Sequence, residues 1–141
     1  VPFSKKLAEN KYLTKNSSEL SLLIDKIKSK SKNKKYDCIV GLSGGVDSAW
    51  ALMKAKEVGL NPLAVHMDNC WDTPIASHNI NQLISLKGID YHAEVMKWSN
   101  FKRFHRIMIE SGLPDIELPT DSALNAVLPK IANKYNVADG I

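Results

Sequence analysis

The sequence is poor in cysteine and has no long hydrophobic run. Its 141 residues include two cysteines, Cys38 and Cys70, which are far apart and form no Cys-x-x-Cys pair. This argues against a disulfide framework or a complete cysteine metal site, and Cys38 is expected to be a small buried residue of the first strand. No apolar run approaches the roughly 20 residues of a membrane span, and no signal peptide is visible. We therefore expect a cytoplasmic protein.

Several familiar motifs are also missing. A Walker loop requires a lysine after its last glycine, and no lysine follows Gly44-Gly45. This pair also does not fit the Gly-x-Gly-x-x-Gly dinucleotide fingerprint. There is no Gly-x-Ser-x-Gly elbow, and the four histidines are scattered without zinc spacing. The sequence therefore indicates neither a Walker-type NTPase, nor a dinucleotide-dependent dehydrogenase, nor a serine hydrolase, nor a zinc enzyme.

Positive charge is concentrated at the start of the chain. The net charge is +4, but residues 1–35 hold ten lysines against three acidic residues, and residues 36–141 are net acidic. We divide the chain into a lysine-rich arm with a helix, 1–35, and the N-terminal part of an α/β domain, 36–141. One interpretation of the lysines is an RNA-binding arm. A solvated helix face and linker is favoured, because every basic residue in the arm is lysine.

The most informative feature present is residues 43–48, Ser-Gly-Gly-Val-Asp-Ser. They follow an apolar segment, 36–42, and precede an apparent helix, 49–58. A strand, a glycine turn and a helix form an anion site, because glycine lets the backbone approach a phosphate and amides at a helix start are unpaired. The two serines can add hydroxyl donors. Asp47 makes sense beside phosphates mainly if a divalent cation bridges them.

This run matches, at all six positions, the pyrophosphate loop of the N-type ATP pyrophosphatases, the PP-loop superfamily, whose pattern is Ser-Gly-Gly-x-Asp-Ser. The alternative is a plain turn rich in Ser, Gly and Asp. The resemblance implies ATP and Mg²⁺ as cofactors, with Asp47 as the metal ligand and Asp47 and Ser43 as catalytic residues. The nucleotide-binding residues that it implies in this loop are Leu42, Ser43, Gly44, Gly45, Val46, Asp47 and Ser48.

Strands alternate with helices along the chain. The strands are predicted at 36–42, 62–67, 91–96 and from Val137, and the helices from an Asn16 cap and at 49–58, 73–86, 100–111 and 122–135, with a kink or break at Pro129. This alternation implies a doubly wound α/β fold with a parallel sheet covered on both faces. Loops after the strands then share one edge, where ligands bind. By resemblance, this is an adenine nucleotide alpha hydrolase-like domain, incomplete at its C-terminus.

Two further loops are expected at that edge. In pyrophosphatases of this type the end of the second strand contacts adenine through its backbone, so the resemblance places His66 and Met67 along the adenine. Asp68 would lie nearby, or would simply be a polar strand end. These three residues complete the expected nucleotide site.

Three residues are candidates for contacts with the second substrate. Trp71 could cap a pocket or cover the core. Lys97 could meet a phosphate or an anionic substrate, or be an ordinary exposed lysine. Asp121 stands at a helix start in Pro119-Thr120-Asp121, where such a residue is usually only an N-cap, but this cap would lie close to the substrate side.

Other segments narrow the resemblance. Residues 36–48, 59–65, Asp68-Asn69-x-Trp71 and 113–121 are similar to the N-acetyl sugar amidotransferases of bacterial surface-polysaccharide synthesis, and the similarity covers about residues 17–141. It implies that ATP adenylates the oxygen of a sugar N-acetyl amide and that ammonia displaces AMP to leave an acetamidino group. The sugar would be nucleotide-linked and destined for lipopolysaccharide O-antigen. A glutaminase subunit would supply ammonia, and a homo-oligomer without membrane or nucleic-acid partners is expected.

The chain departs from that family in two ways, and three alternatives stay open. The family's usual N-terminal cysteine-rich segment is not seen, and a chain running from Val1 to Ile141 is expected to be a fragment. A tRNA-modifying ligase has the same loop, although thiolation usually needs a reactive cysteine pair. An NAD or GMP synthetase also uses it with ammonia, but 113–121 argues against this. The third alternative is a non-catalytic ATP-binding module.

Overall fold

The computed structural model describes residues 12–138 and residue 140. The elements in chain order are α1 Tyr12–Lys30, β1 Cys38–Gly41, α2 Val46–Glu57, β2 Pro62–Asp68, α3 Pro74–Lys87, β3 Tyr91–Val95, α4 Trp98–Glu110 and α5 Leu118–Lys134. None of the helices in these ranges has the length and apolar character to cross a membrane.

The three strands form one parallel sheet in the order β1-β2-β3. Cys38 lies opposite Pro62 in β2, and Ala64 lies opposite Tyr91 in β3. The central strand is buried from Pro62 to Met67, as its nearly continuous apolar run predicts for a strand covered on both faces. All three strands end at the same edge, so the loops that follow them meet there.

Two hydrophobic clusters cover the two faces of the sheet. The cluster shared by α1, α2 and α3 contains Ile27, Cys38, Val40, Leu42, Leu52, Ala55, Leu60, Ala64, Ile80 and Ile89. The cluster on the α5 face contains Tyr36, Ile39, Leu63, Val65, Met67, Val127, Ile131 and Val137. Alternate residues of β1 therefore point to opposite layers, and the predicted doubly wound α/β fold is confirmed.

Two predicted helix features are wrong. The first helix begins at Tyr12 rather than after a cap at Asn16, because no glycine or proline interrupts 12–30 and helical pairing continues past Asn16. The helix that contains Pro129 runs unbroken to Lys134. Proline removes one helical hydrogen bond, but Val127 and Ile131 on either side are buried against the sheet, and this packing outweighs the local loss.

The predicted fourth strand is reduced to a single contact. Gly140 forms a parallel bridge with Ile39 of β1, on the side away from β2. Residues 139 and 141 lie outside the described residues, as do residues 1–11 of the predicted lysine-rich arm.

Candidate functional site

The loop of residues 43–48 joins β1 to α2 and packs against α3. Gly44 has φ 79, a conformation that L side chains rarely adopt. A Cβ built there would lie 2.5 Å from the carbonyl oxygen of Ala76, and the Asn79 Nδ2 donates to the Gly44 carbonyl oxygen at 3.1 Å. Glycine is therefore required at position 44 both by backbone conformation and by the close approach of α3.

The two serines of the loop bond to one another and to its backbone. The Ser48 hydroxyl donates to the Gly45 carbonyl oxygen at 3.1 Å and accepts from the Ser43 amide at 3.2 Å. The two Oγ atoms lie 3.1 Å apart. These hydroxyls were predicted as donors to a phosphate, and in the structure they hold the loop in shape.

The start of α2 lies at the end of the loop and has no side-chain cap. Gly45 is the N-cap and has no side chain that could cap the helix. The backbone amides of the first helical turn therefore donate to no capping side chain and are available at the loop. The exposed Asp47 lies in that turn. The helix dipole favours a carboxylate there, whereas a polyphosphate beside it would be repelled unless a cation lies between them.

A cavity of about 290 Å³ adjoins the loop at the carboxyl edge of the sheet. It lies between the ends of β1 and β2 and the first turns of α5. Its walls are Gly41, Leu42, Ser43, Val65, His66, Met67, Asn69, Asp72, Thr120 and Leu124. Of the predicted nucleotide residues, it brings together Leu42, Ser43, His66 and Met67. Ser43 belongs to both the cavity wall and the loop of residues 43–48, which makes the two parts continuous.

His66 links two of the walls. Its imidazole is buried, with Nδ1 2.8 Å from the Leu42 carbonyl oxygen and Nε2 2.7 Å from a carboxylate oxygen of Asp72. A carbonyl and an ionised carboxylate both accept only, so both contacts are satisfied when the imidazole donates from both nitrogens. The pair thus ties the loop after β2 to the residue that precedes Ser43, and both side chains line the cavity.

The electrostatics at the end of β2 are shaped by two acidic residues and a tyrosine. The Tyr91 ring stacks on His66 with centroids 6.4 Å apart. Burial, and then the negative charges of Asp72 and Asp68, raise the pKa of Tyr91, which keeps its hydroxyl neutral. A carboxylate oxygen of Asp68 accepts from the Cys70 amide at 2.8 Å, so this predicted site residue shapes the loop after β2.

The three predicted substrate residues lie outside the cavity wall. Trp71 is half exposed and lies 4.9 Å from the buried His105 ring and 6.2 Å from Trp98, between centroids. Lys97 is exposed and precedes the first turn of α4. Asp121 is exposed in the first turn of α5. All three stay near the carboxyl edge, but the structure does not bring them together.

Outside β1 and β2, sequence reasoning missed four residues of the cavity wall. Asn69, Asp72, Thr120 and Leu124 all line it. The Thr120 Oγ1 is buried and has no hydrogen-bond partner within the described part of the chain. The segment Pro119-Thr120-Asp121 did indicate a helix start at this edge of the sheet, but the residue that faces the cavity is Thr120 rather than Asp121.

The acidic residues suit Mg²⁺ only together with phosphate. Among residues 12–138 and 140, no group of three or more His, Cys, Asp or Glu side chains is placed to hold a metal ion by itself. Mg²⁺ is usually held by one or two carboxylates together with substrate phosphates. Asp47, beside the uncapped start of α2, fits that mode of binding.

Comparison with known proteins supports the fold. A profile for the family described as tRNA methyl transferase HUP domain matches residues 36–102. No curated protein sequence matches the chain. The chain is similar to the NH3-dependent NAD synthetase of Campylobacter jejuni, with 18% identity and a TM-score of 0.57 over 84% of this chain.

Two other solved structures have similar folds. The NMN synthetase of Francisella tularensis matches with 20% identity and a TM-score of 0.55 over 86% of this chain. The glutamine-dependent NAD+ synthetase of Acinetobacter baumannii matches with 20% identity and a TM-score of 0.62 over 79%. The chain spans 52% of the length of the Campylobacter and Francisella structures and 22% of the Acinetobacter structure. The chain thus has an α/β fold similar to that of these synthetases, and its residues 36–102 match the HUP-domain profile.

Proposed function

We propose that the chain binds Mg²⁺-ATP across the loop and the cavity. The observation that carries this proposal is the continuity of the uncapped phosphate loop with a 290 Å³ cavity through Ser43. The first-turn amides of α2 would bind the phosphates. The base would lie in the cavity along His66 and Met67. The Acinetobacter relative, whose structure is a complex with adenosine diphosphate, supports an adenine nucleotide.

The reaction that we propose is an AMP- and pyrophosphate-forming amidotransfer to a sugar. The oxygen of an N-acetyl amide attacks the α-phosphorus of ATP and pyrophosphate leaves. Ammonia then adds to the activated carbon and AMP departs, which leaves an acetamidino group. Two of the structural relatives are named as NH3-dependent and glutamine-dependent synthetases, which favours a nitrogen donor and a glutaminase partner.

The sugar as acceptor is proposed on local sequence likeness. The segments 59–65 and 113–121 resemble the N-acetyl sugar amidotransferases of O-antigen synthesis. Both steps need no protein nucleophile, so the chain's own task is to position groups and stabilise charge. Mg²⁺ on Asp47 would supply the positive charge that stabilises the departing pyrophosphate. Trp71 and Lys97, near the same edge, are the proposed contacts for the acceptor.

A tRNA-modifying ligase is the second candidate. The matching family profile carries a tRNA-related description, and the exposed Lys26, Lys28 and Lys32 lie at the end of α1 and just after it. These lysines precede β1, whereas the phosphate loop follows it, so they lie towards the opposite edge of the sheet. They could hold the body of an RNA but do not line the nucleotide cavity.

Pyrophosphate release by the purified protein tests both candidates. The assay contains Mg²⁺-ATP and ammonium, with either a panel of nucleotide-linked diacetamido sugars or bulk tRNA. Release that depends on a sugar, with the mass change of an acetamido to an acetamidino group, is expected. Release only with tRNA would support the second candidate. ATP binding without release under any condition would indicate a non-catalytic module.

A further inference from the structure

The α5 wall of the cavity carries a polar group that the fold itself leaves without a partner. Thr120 and Leu124 form this wall, opposite the residues of β1 and β2. Leu124 packs on the hydrophobic cluster of the same face. Of these two residues, Thr120 is the one that contributes a hydroxyl group to the wall.

The hydroxyl of Thr120 is buried and makes no hydrogen bond within the described residues. A threonine in the first turn of a helix usually bonds to a nearby backbone group. Here the nearby Glu117 carbonyl oxygen accepts from the Asp121 amide instead. Buried polar groups without partners are rare in folded proteins, and a binding site for a ligand is one explanation for such a group.

The neighbouring residue does not share this property. Asp121 is exposed and is not among the residues that line the cavity. The packing of α5 on the sheet therefore turns Thr120, and not its neighbour, towards the cavity. Thr120 is also not the N-cap of this helix, because the helix begins before it at Leu118.

We propose that the Thr120 hydroxyl hydrogen-bonds to the nucleoside part of the bound nucleotide and contributes to the choice of nucleotide. This inference rests on the proposed binding of ATP. A neutral hydroxyl both donates and accepts, which suits a base edge or a ribose hydroxyl. The phosphates would lie at the amides of α2, on the far side of Ser43, so they are not its partner.

Two substitutions separate a ligand contact from a structural role. Thr120→Val keeps the shape and removes the hydroxyl, and Thr120→Ser keeps the hydroxyl. Isothermal titration with Mg²⁺-ATP is expected to give at least fivefold weaker binding for the valine variant and binding within twofold of wild type for the serine variant. Thermal unfolding without nucleotide is expected to show the valine variant at least as stable as wild type, because an unpartnered buried hydroxyl has gone.

Analogues identify the partner on the nucleotide. If the ribose is the partner, the valine and wild-type proteins should bind 2′-deoxy-ATP or 3′-deoxy-ATP equally. If the base is the partner, the valine variant and the wild-type protein should instead have equal affinities for purine riboside triphosphate, which lacks the exocyclic amine. Either result supports the proposal.

Three outcomes would overturn it. A valine variant that binds ATP as wild type does removes Thr120 from the site. A valine variant that loses thermal stability and binding in parallel has a structural role there. If the wild-type protein binds no ATP, the proposed function is refuted as well. This third outcome is distinguishable from the first two, because the titration of the wild-type protein alone reveals it.

Discussion

The two sides of the cavity are built in different ways. On the loop side, the hydroxyls of Ser43 and Ser48 are bonded within the loop, and Gly44 is fixed against α3. On the α5 side, the Thr120 hydroxyl is buried without a partner in the described structure. A side whose polar groups are internally satisfied holds its shape before a ligand arrives. A side with an unsatisfied buried group lacks a hydrogen-bond partner, and under our proposal the bound nucleotide supplies it.

The largest effect is expected on the loop side, from Gly44→Ala. Its positive φ and the 2.5 Å approach to the Ala76 carbonyl oxygen mean that a methyl group strains the loop or displaces α3. We expect a loss of about 2 kcal/mol or more in the free energy of unfolding. Urea denaturation measures it.

Gly45→Ala is the matched control. Gly45 has φ −83, and an added Cβ would lie 3.4 Å from the Ser43 Oγ. Its stability should change by about 1 kcal/mol at most. Equal losses for the two glycines would refute the special role of position 44.

Asp47→Asn is expected to weaken the binding of Mg²⁺-ATP by more than tenfold, about 1.4 kcal/mol. The reason is that the neutral amide no longer holds the cation against the phosphates. Calorimetry with and without Mg²⁺ measures this, and the loss should be confined to the Mg²⁺ form. Glu57→Gln, at the other end of α2, is the control and should leave affinity unchanged. Unchanged affinity for Asp47→Asn would remove Asp47 from the site.

A smaller effect is expected where His66 joins the loop side to the segment after β2. Asp72→Ala leaves the buried His66 Nε2 without its 2.7 Å partner, and we expect about 1 kcal/mol of lost ATP affinity. Asp72→Asn should retain most of it, because an amide N–H can donate to Nε2 while Nδ1 still donates to the Leu42 carbonyl oxygen. Equal affinities for both variants and wild type would show that the pair does not position the cavity.

The smallest effect on the site is expected from the opposite edge of the sheet. Hydrogen bonds from Lys35 and Tyr36 lower the pKa of Asp90 below its ordinary 3.8. A lowered acid pKa stabilises the fold above the ordinary value, and this stabilisation is lost as the pH falls through the folded-state value. Asp90→Asn should therefore lower the melting temperature slightly at neutral pH, and the difference from wild type should vanish in acid.

ATP affinity should be unchanged in Asp90→Asn, because Asp90 precedes β3 and the cavity lies at the other end of the strands. A loss of affinity would show that the two edges are coupled. A difference in melting temperature that persisted in acid would assign the stabilisation to something other than the Asp90 charge.

Much of the fold was predictable because it depends on local patterns. The alternation of apolar strands with helices predicted the parallel sheet. The helix predicted at 73–86 is confirmed as α3, which Thr73 caps and Gly88 ends in the left-handed region. The kink predicted at Pro129 and the cap predicted at Asn16 were wrong because both rested on local residue preferences alone. In α5, the burial of Val127 and Ile131 against the sheet outweighed the missing amide.

The site was predictable only in part. Residues 43–48 are contiguous and could be recognised as a motif, and the ends of β2 followed from the strand pattern. The wall formed by Thr120 and Leu124 is far from the loop in sequence and depends on how α5 packs across the sheet. The pairing of His66 with Asp72 likewise depends on the path of the loop after β2.

The sequence by itself determined the glycine turn of residues 43–48 and the helix start within it, because a Ser-Gly-Gly-Val-Asp-Ser run carries its own local backbone preference. It also determined the strand and helix order, because hydrophobic periodicity is local. Only the tertiary structure decided which side chains face the cavity, that Ser43 joins it to the loop, and that Thr120 rather than Asp121 lines it. The physical reason is that the packing of helices on the sheet selects which residue of each turn is buried.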